Sequence, residues 1–177
     1  LISLNTITII IGLISIILVV TYPFMKRITH WPQLFLGITF NWGVIMGWTS
    51  VSESLSPVIF MIYLSCIFWT LGYDTVYGYQ DIVDDKIIGI KSTAVLFEKN
   101  PKTAIYTFYI ISFLLMFMAM IWIGSSYKTF LVFLCAVMLG IVLLGKLNLR
   151  EVQSCARFFL ANKYIGFLVV LALALSI

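Results

Sequence analysis

Only 10% of the residues in this 177-residue chain are charged, whereas 62% are hydrophobic and the mean hydropathy is +1.10. A water-soluble domain of this length needs a polar skin, so the shortage of charge excludes one. No apolar run shows the period-two alternation of a barrel strand, which excludes a transmembrane β-barrel. There is one histidine, His30, and it reads as an interfacial residue beside Trp31 and Pro32. The three cysteines, Cys66, Cys135 and Cys155, form no CxxC pair and no metal-ligand spacing. That removes zinc chemistry and a disulfide framework. Cys66 and Cys135 fall within apolar stretches and Cys155 on a loop. There is no internal repeat and no low-complexity tract. The first apolar stretch lacks the charged start and small-residue cleavage site of a signal peptide.

What is present is hydrocarbon in six long pieces: Leu4 to Val20, Leu34 to Val51, Val58 to Tyr73, Thr103 to Ile123, Phe130 to Leu147 and Phe158 to Ile177. Each approaches the roughly 20 apolar residues that a helix needs to cross a bilayer. The expected fold is therefore all-α: a polytopic transmembrane bundle of about six spans, forming one domain over residues 1–177. The basic residues give it an orientation. Lys26 and Arg27, then Lys86, Lys91, Lys99 and Lys102, then Lys146, Arg150, Arg157 and Lys163 all fall on connections that share one side, and only Lys128 lies on the other. By the positive-inside rule the basic side faces the cytoplasm, or the matrix in an organelle. The net charge of +4 is accounted for by that rim and calls for no nucleic-acid partner. The outer connections, Ser52 to Pro57 and Gly124 to Lys128, are short. The inner ones, Tyr22 to Gln33, Asp74 to Lys102 and Lys146 to Arg157, are long enough to form a cap, and such loops are where sites are usually carried.

Acid is concentrated on one inner connection. The stretch YDTVYGYQDIVDDKIIGIKSTAVLF, Tyr73 to Phe97, holds Asp74, Asp81, Asp84 and Asp85. No proline interrupts it, and Gly78 is its one weak helix former before Asp85, so the third span is expected to continue as helix. At 100° per residue Asp81 and Asp85 would then each fall within about 20° of Asp74 on one face, with Asp84 about 80° away. Like charges so arranged repel, and a cation between them would relieve the repulsion. Carboxylate oxygens suit Mg²⁺, which takes one or two carboxylates together with waters and substrate phosphates. Lys26 and Arg27 offer cations for anionic oxygens on the same side. Lys91, Ser92 and Thr93 add a third cation and two hydroxyls, or a cap for the next helix. Spacing leaves two readings open: a metal–diphosphate site, or a solvated acidic loop paired with Lys86 and Lys91, the basic loops merely setting topology.

YPFMKRITHWPQLFLGITFNWG, from Tyr22, followed by YDTVYGYQDIVDDKIIGIKSTAVLF closely resembles the UbiA superfamily of intramembrane aromatic prenyltransferases, in particular its 4-hydroxybenzoate polyprenyltransferases of ubiquinone biosynthesis. SVSES at Ser50 to Ser54 and NKYIGFLVVL near the end extend the likeness over essentially the whole chain. The resemblance implies a bundle of nine helices around a lipid-open cavity with a polar cap, in a bacterial inner membrane facing the cytoplasm or a mitochondrial inner membrane facing the matrix. It implies a DxxxD motif at Asp81 and Asp85 that binds Mg²⁺ and acts in catalysis, with Asp74 and Asp84 in support. Lys26, Arg27 and Lys91 would bind the diphosphate. The implied substrates are a polyprenyl diphosphate and 4-hydroxybenzoate, in a setting of membrane lipid. The allylic C–O bond would ionise as its diphosphate is stabilised, and the ring would attack ortho to the hydroxyl. Tyr73, Tyr77, Tyr79 and Trp42 are available to wall off water.

The chain departs from the family pattern at its start. A first Asp-rich motif of the type NDxxD(x)₃D, and about three spans with it, are missing from these residues, which begin with Leu1. The expectation is therefore the C-terminal two-thirds of such an enzyme, with half the metal site on a missing N-terminal segment. Other aromatic acceptors, haem, or an inactive membrane fragment remain as alternative readings.

Overall fold

The computed structural model describes residues 4–52 and 54–176. Leu1, Glu53 of the Ser50–Ser54 stretch, and Ile177 at the end of the sixth apolar stretch lie outside them. The described residues form helices and contain no strand. In chain order the helices are α1 (Thr6–Thr21), α2 (Met25–Ile28), α3 (Pro32–Phe40), α4 (Trp42–Ser52), α5 (Pro57–Gly78), α6 (Ile82–Ile88), α7 (Thr93–Leu96), α8 (Pro101–Ile123), α9 (Tyr127–Lys146) and α10 (Val152–Ala174). They supply six stretches long and apolar enough to cross a membrane, as expected: Thr6–Ile28, Pro32–Ser52, Pro57–Gly78, Pro101–Ile123, Tyr127–Lys146 and Val152–Ala174.

The four prolines show why these segments start where they do. Pro23, Pro32, Pro57 and Pro101 all occupy the first turn of a helical element. There the missing N–H costs no intrahelical bond and the fixed φ suits the helix. Pro23 lies in the 3₁₀ turn Tyr22–Phe24 that joins α1 to α2. The second span is broken at Asn41, between α3 and α4. Its side-chain amide donates to the carbonyls of Gly37 (2.8 Å) and Cys66 (3.3 Å) and to Thr70 Oγ1 (2.8 Å). Within a membrane, groups freed by such a break need partners of this kind.

α5 is the hub, packing against α3, α4, α8 and α10. Its approach to α8 is close because position 72 has no side chain: a Cβ on Gly72 would lie 2.7 Å from the Tyr109 ring. Small residues at such crossings let membrane helices come together. One buried amide ties three helices at this point. Asn162 Oδ1 on α10 accepts from Trp69 Nε1 of α5 (2.9 Å) and Tyr109 Oη of α8 (2.6 Å), while its Nδ2 donates to the Phe158 carbonyl (2.8 Å).

Two expectations need correction. The third span does not run on as one helix through the aspartates. α5 stops at Gly78, the chain turns through Tyr79 and Gln80, and α6 begins after Asp81. The break falls at Gly78, the weak helix former of the stretch. α7 and the start of α3 lie across the end of α5 there, so that a Cβ at Gly78 would sit 3.3 Å from Ala94 Cβ and 3.5 Å from Gln33 Nε2. The Thr75 and Thr93 hydroxyls, 2.7 Å apart, hold α7 there. The last inner connection is also shorter than expected, because α10 begins at Val152. Arg157, Lys163 and Cys155 are therefore helical rather than on a loop. Cys155 is fully buried.

Candidate functional site

The end of the bundle that carries α2, α6 and α7 forms a polar cap from two connections. They are pinned together by backbone and side chain. The Lys91 N–H donates to the Lys26 carbonyl (3.2 Å), Lys91 Nζ to the Ile28 carbonyl (3.2 Å), and the Thr93 N–H to Gln33 Oε1 (2.9 Å). Ser92 caps α7 by accepting from the Val95 N–H, as one of its two sequence readings proposed. Gly89, at φ 79°, ends α6 in the left-handed region and returns the chain towards Lys91. That conformation costs a residue with a Cβ more than glycine.

Between the two connections lies a cavity of about 180 Å³. Asp74 and Tyr77 reach it from α5, Asp81 and Asp85 from the two ends of the first turn of α6, Lys26 from α2 and Lys91 from the return strand of chain. The break after Gly78 thus brings together the three aspartates that a straight helix had been expected to align. Arg27 and Asp84 are exposed and do not line the cavity. Of the four aromatic residues considered for its walls, Tyr77 lines it. Tyr73 packs edge-on against Trp69 and Phe159, and Trp42 is within the bundle, bonded to the Ile11 carbonyl. Tyr79 points to the other side of the turn. Tyr22 and Gln33 also line the cavity and were missed. Gln33 had a signal: a glutamine just inside an apolar span is costly unless it is partnered.

The cavity's carboxylates are not neutralised by the lysines proposed for that purpose. Among the described residues the ion pairs are Lys86–Glu98 (2.7 Å) and Arg157–Glu151 (3.2 Å), and neither involves an aspartate. Of the pairings supposed in the solvated-loop reading, Lys86 is taken by Glu98 instead, and Lys91 lines the cavity beside the aspartates without an ion pair among the described residues. Burial pushes the Asp85 carboxyl above its ordinary value; nearby Lys26 pulls it down, and Asp81 and Asp84 push it up again. The three carboxylates thus outnumber the two lysines in a partly desolvated place, where an arriving cation would relieve the excess. No group of three or more His, Cys, Asp or Glu side chains among the described residues is arranged to hold a metal unaided. A hard cation with two carboxylates, its other positions filled by water and phosphate, is within the donor set present.

The stripe of α5 that carries Tyr77 continues away from the cap through Cys66, Ile62 and Ile59, all within about 60° at 100° per residue. These three line a second cavity of about 380 Å³, apolar and deeper in the bundle.

Six apolar helices beneath a polar cap, with carboxylates and amines gathered at the membrane's edge, define an integral membrane protein of the α-helical class. The chain belongs to the UbiA prenyltransferase family, whose profile matches residues 1–172. It is 40% identical over 181 residues to the mitochondrial 4-hydroxybenzoate polyprenyltransferase of Rattus norvegicus, covering 99% of this chain and 47% of that protein. It is 37% identical to the 4-hydroxybenzoate octaprenyltransferase of Serratia proteamaculans, covering 98% of this chain and 60% of that one. The solved apo structure of a UbiA homolog from Aeropyrum pernix K1 superposes with a TM-score of 0.78 at 19% identity, over 97% of this chain and 64% of the other, and shares the fold. The chain spans about half the length of the mammalian relatives it matches.

Proposed function

We propose that the chain is a transmembrane domain of a 4-hydroxybenzoate polyprenyltransferase, which joins a polyprenyl group to the ring of 4-hydroxybenzoate in ubiquinone synthesis. The observation that carries this reading is the convergence of Asp74, Asp81, Asp85, Lys26 and Lys91 on one small cavity at the membrane edge. A first Asp-rich motif completing the site, and an orientation with the cap in the cytoplasm or matrix of an inner membrane, are part of the proposal.

Asp81 and Asp85 would hold Mg²⁺, which supplies charge compensation for a diphosphate leaving group when bound. Lys26 and Lys91 bind the diphosphate oxygens, and Arg27 adds positive charge from the rim. Asp74, half-buried in the last turn of α5, keeps Lys26 oriented towards the cavity. Asp84 adds to the negative field from outside. The prenyl tail runs along the α5 stripe, past Tyr77, into the apolar cavity at Cys66 and Ile62, and Tyr77 shields the allylic carbon from water.

The test is transfer of label from 4-hydroxybenzoate in membranes supplied with polyprenyl diphosphate and Mg²⁺, using the whole enzyme that contains this chain. Prenylated product that requires both substrates supports the reading. Turnover of another acceptor in preference to 4-hydroxybenzoate would overturn the substrate, and absence of any transfer would overturn the activity.

A further inference from the structure

On the far side of the Tyr79–Gln80 turn lies a second polar cavity, of about 1130 Å³, which the prenyl-transfer reading does not use. Lys99 and Lys102 line it from the start of α8, and Arg150 from just before α10. Its one carboxylate, Glu98, is already held by Lys86 through both oxygens (2.7 and 2.8 Å). Glu151, next to Arg150, is paired with Arg157 instead. None of the three lining cations has a carboxylate within 4 Å among the described residues, so the cavity is net positive. Two buried donor atoms, Tyr79 Oη and Gln80 Nε2, belong to residues that line it and have no hydrogen-bond partner. Burial, with the charges of Glu98 and Cys155 behind it, raises the Tyr79 phenol to about 12, so that it stays a donor. Cations left without carboxylate partners suit an anion rich in acceptor oxygens, and phosphate is the common one.

A separate apolar groove of about 840 Å³ lies next to this cavity, further along α8 and α9. It opens because α9 packs on α10 and makes little contact with α8, its neighbour in the chain. Tyr106, Ile110 and Phe117 line it from α8, and Leu134, Ile141 and Gly145 from α9. The cavity and groove adjoin by register. On α8, Tyr106 lies between the directions of Lys102 and Thr103, one turn further in. On the other wall Gly145 is followed within three residues by Asn148 of the cavity. From Tyr106 to Phe117 the groove extends about 16 Å along α8 at 1.5 Å per residue, close to the ~15 Å of one leaflet's hydrocarbon.

We propose that this face binds one anionic phospholipid, its phosphate head group among Lys99, Lys102 and Arg150 and an acyl chain in the α8–α9 groove. The arrangement distinguishes this site from a general basic rim, which has no groove to receive a chain. It is independent of the acidic cavity and of the prenyl-transfer reading.

The test is native mass spectrometry and thermal melting of the whole enzyme that contains this chain, purified in a neutral detergent. It is titrated with phosphatidylglycerol, with phosphatidylcholine of the same chains, and with inorganic phosphate. The expected result is a single phosphatidylglycerol adduct and a saturable rise in Tm that the other two do not reproduce. K99Q/K102Q/R150Q should weaken the adduct about 10- to 100-fold. G145W, which fills the groove and leaves every charge in place, should also lose it; nothing lies within 4 Å of a Cβ at Gly145. Melting without lipid checks that both variants are folded. Equal binding of phosphatidylcholine, the same Tm rise with inorganic phosphate alone, or undiminished binding in both variants would each overturn the proposal.

Discussion

Two cavities flank the Tyr79–Gln80 turn, and they carry opposite charge. The smaller gathers Asp74, Asp81 and Asp85 with Lys26 and Lys91. The larger presents Lys99, Lys102 and Arg150, with Glu98 neutralised by Lys86. Both face the same end of the bundle, and both are suited to phosphate chemistry, but by different routes. The basic cavity takes an anion directly. In the proposed function the acidic one would take a diphosphate together with a cation, so that binding there would depend on a third component. On these two proposals, selectivity would be set by whether a carboxylate is paired within the protein or left for a ligand.

The largest effect expected from breaking this contrast is at the acidic cavity. In the whole enzyme Asp81→Ala or Asp85→Ala should lower turnover about 10²- to 10³-fold, with Tm almost unchanged. Steady-state assay and melting together check this, and wild-type turnover in both variants would remove the assignment. Gln33→Leu acts on the wall instead of the charge. It leaves the buried Thr93 N–H without its acceptor, for an expected loss of ~1–3 kcal/mol in unfolding experiments.

The pH profile gives a smaller effect that sharpens the contrast. A carboxylate raised in the folded state, as Asp85 is, binds more protons folded than unfolded between its ordinary value and the raised one. Stability without Mg²⁺ should therefore fall as pH rises through that window and level off above it. Asp85→Asn should make the Tm profile measured between about pH 4 and pH 7 shallower, and at neutral pH should melt slightly higher than wild type while remaining inactive. An unchanged slope would show that Asp85 is not the residue responsible. Smallest is Lys86→Gln, which breaks an exposed pair worth at most about 1 kcal/mol. Its value is in freeing Glu98: affinity for an anionic lipid should drop a few-fold although no cation lining the cavity has changed.

The six spans were legible in the sequence because hydrocarbon length is a one-dimensional property, and the prolines and polar connections bounded them within a few residues. The acidic residues were legible for the same reason, since carboxylates stand out at the end of an apolar run. Their mutual arrangement was not. Helical periodicity placed Asp74, Asp81 and Asp85 in a row, whereas the helix stops at Gly78, where Ala94 and Gln33 pack against it. Those contacts join residues 16 and 45 positions away from Gly78, beyond any local pattern. Lys163 was assigned to a loop by its charge, yet it lies eleven residues past the start of α10, with its ammonium 5.0 Å from the Tyr164 ring centroid. The basic cavity could not be seen either, because it depends on Lys86 reaching Glu98 across twelve residues.

The turn after Gly78 has a consequence for how such a chain can change over time. On one straight helix the separation of Asp74 from Asp85 is a multiple of 1.5 Å, about 16 Å, and every added residue also rotates the acids by 100°. Here the separation is governed by Tyr79 and Gln80, outside any helix and outside the hydrocarbon. Insertions or deletions at that point would resize the acidic cavity while leaving the register of α5 unchanged, at the expense of the contacts Tyr79 makes with the core. The span and the chemistry at its end can therefore accumulate substitutions independently, one constrained by the thickness of the bilayer and the other by the dimensions of what it grips.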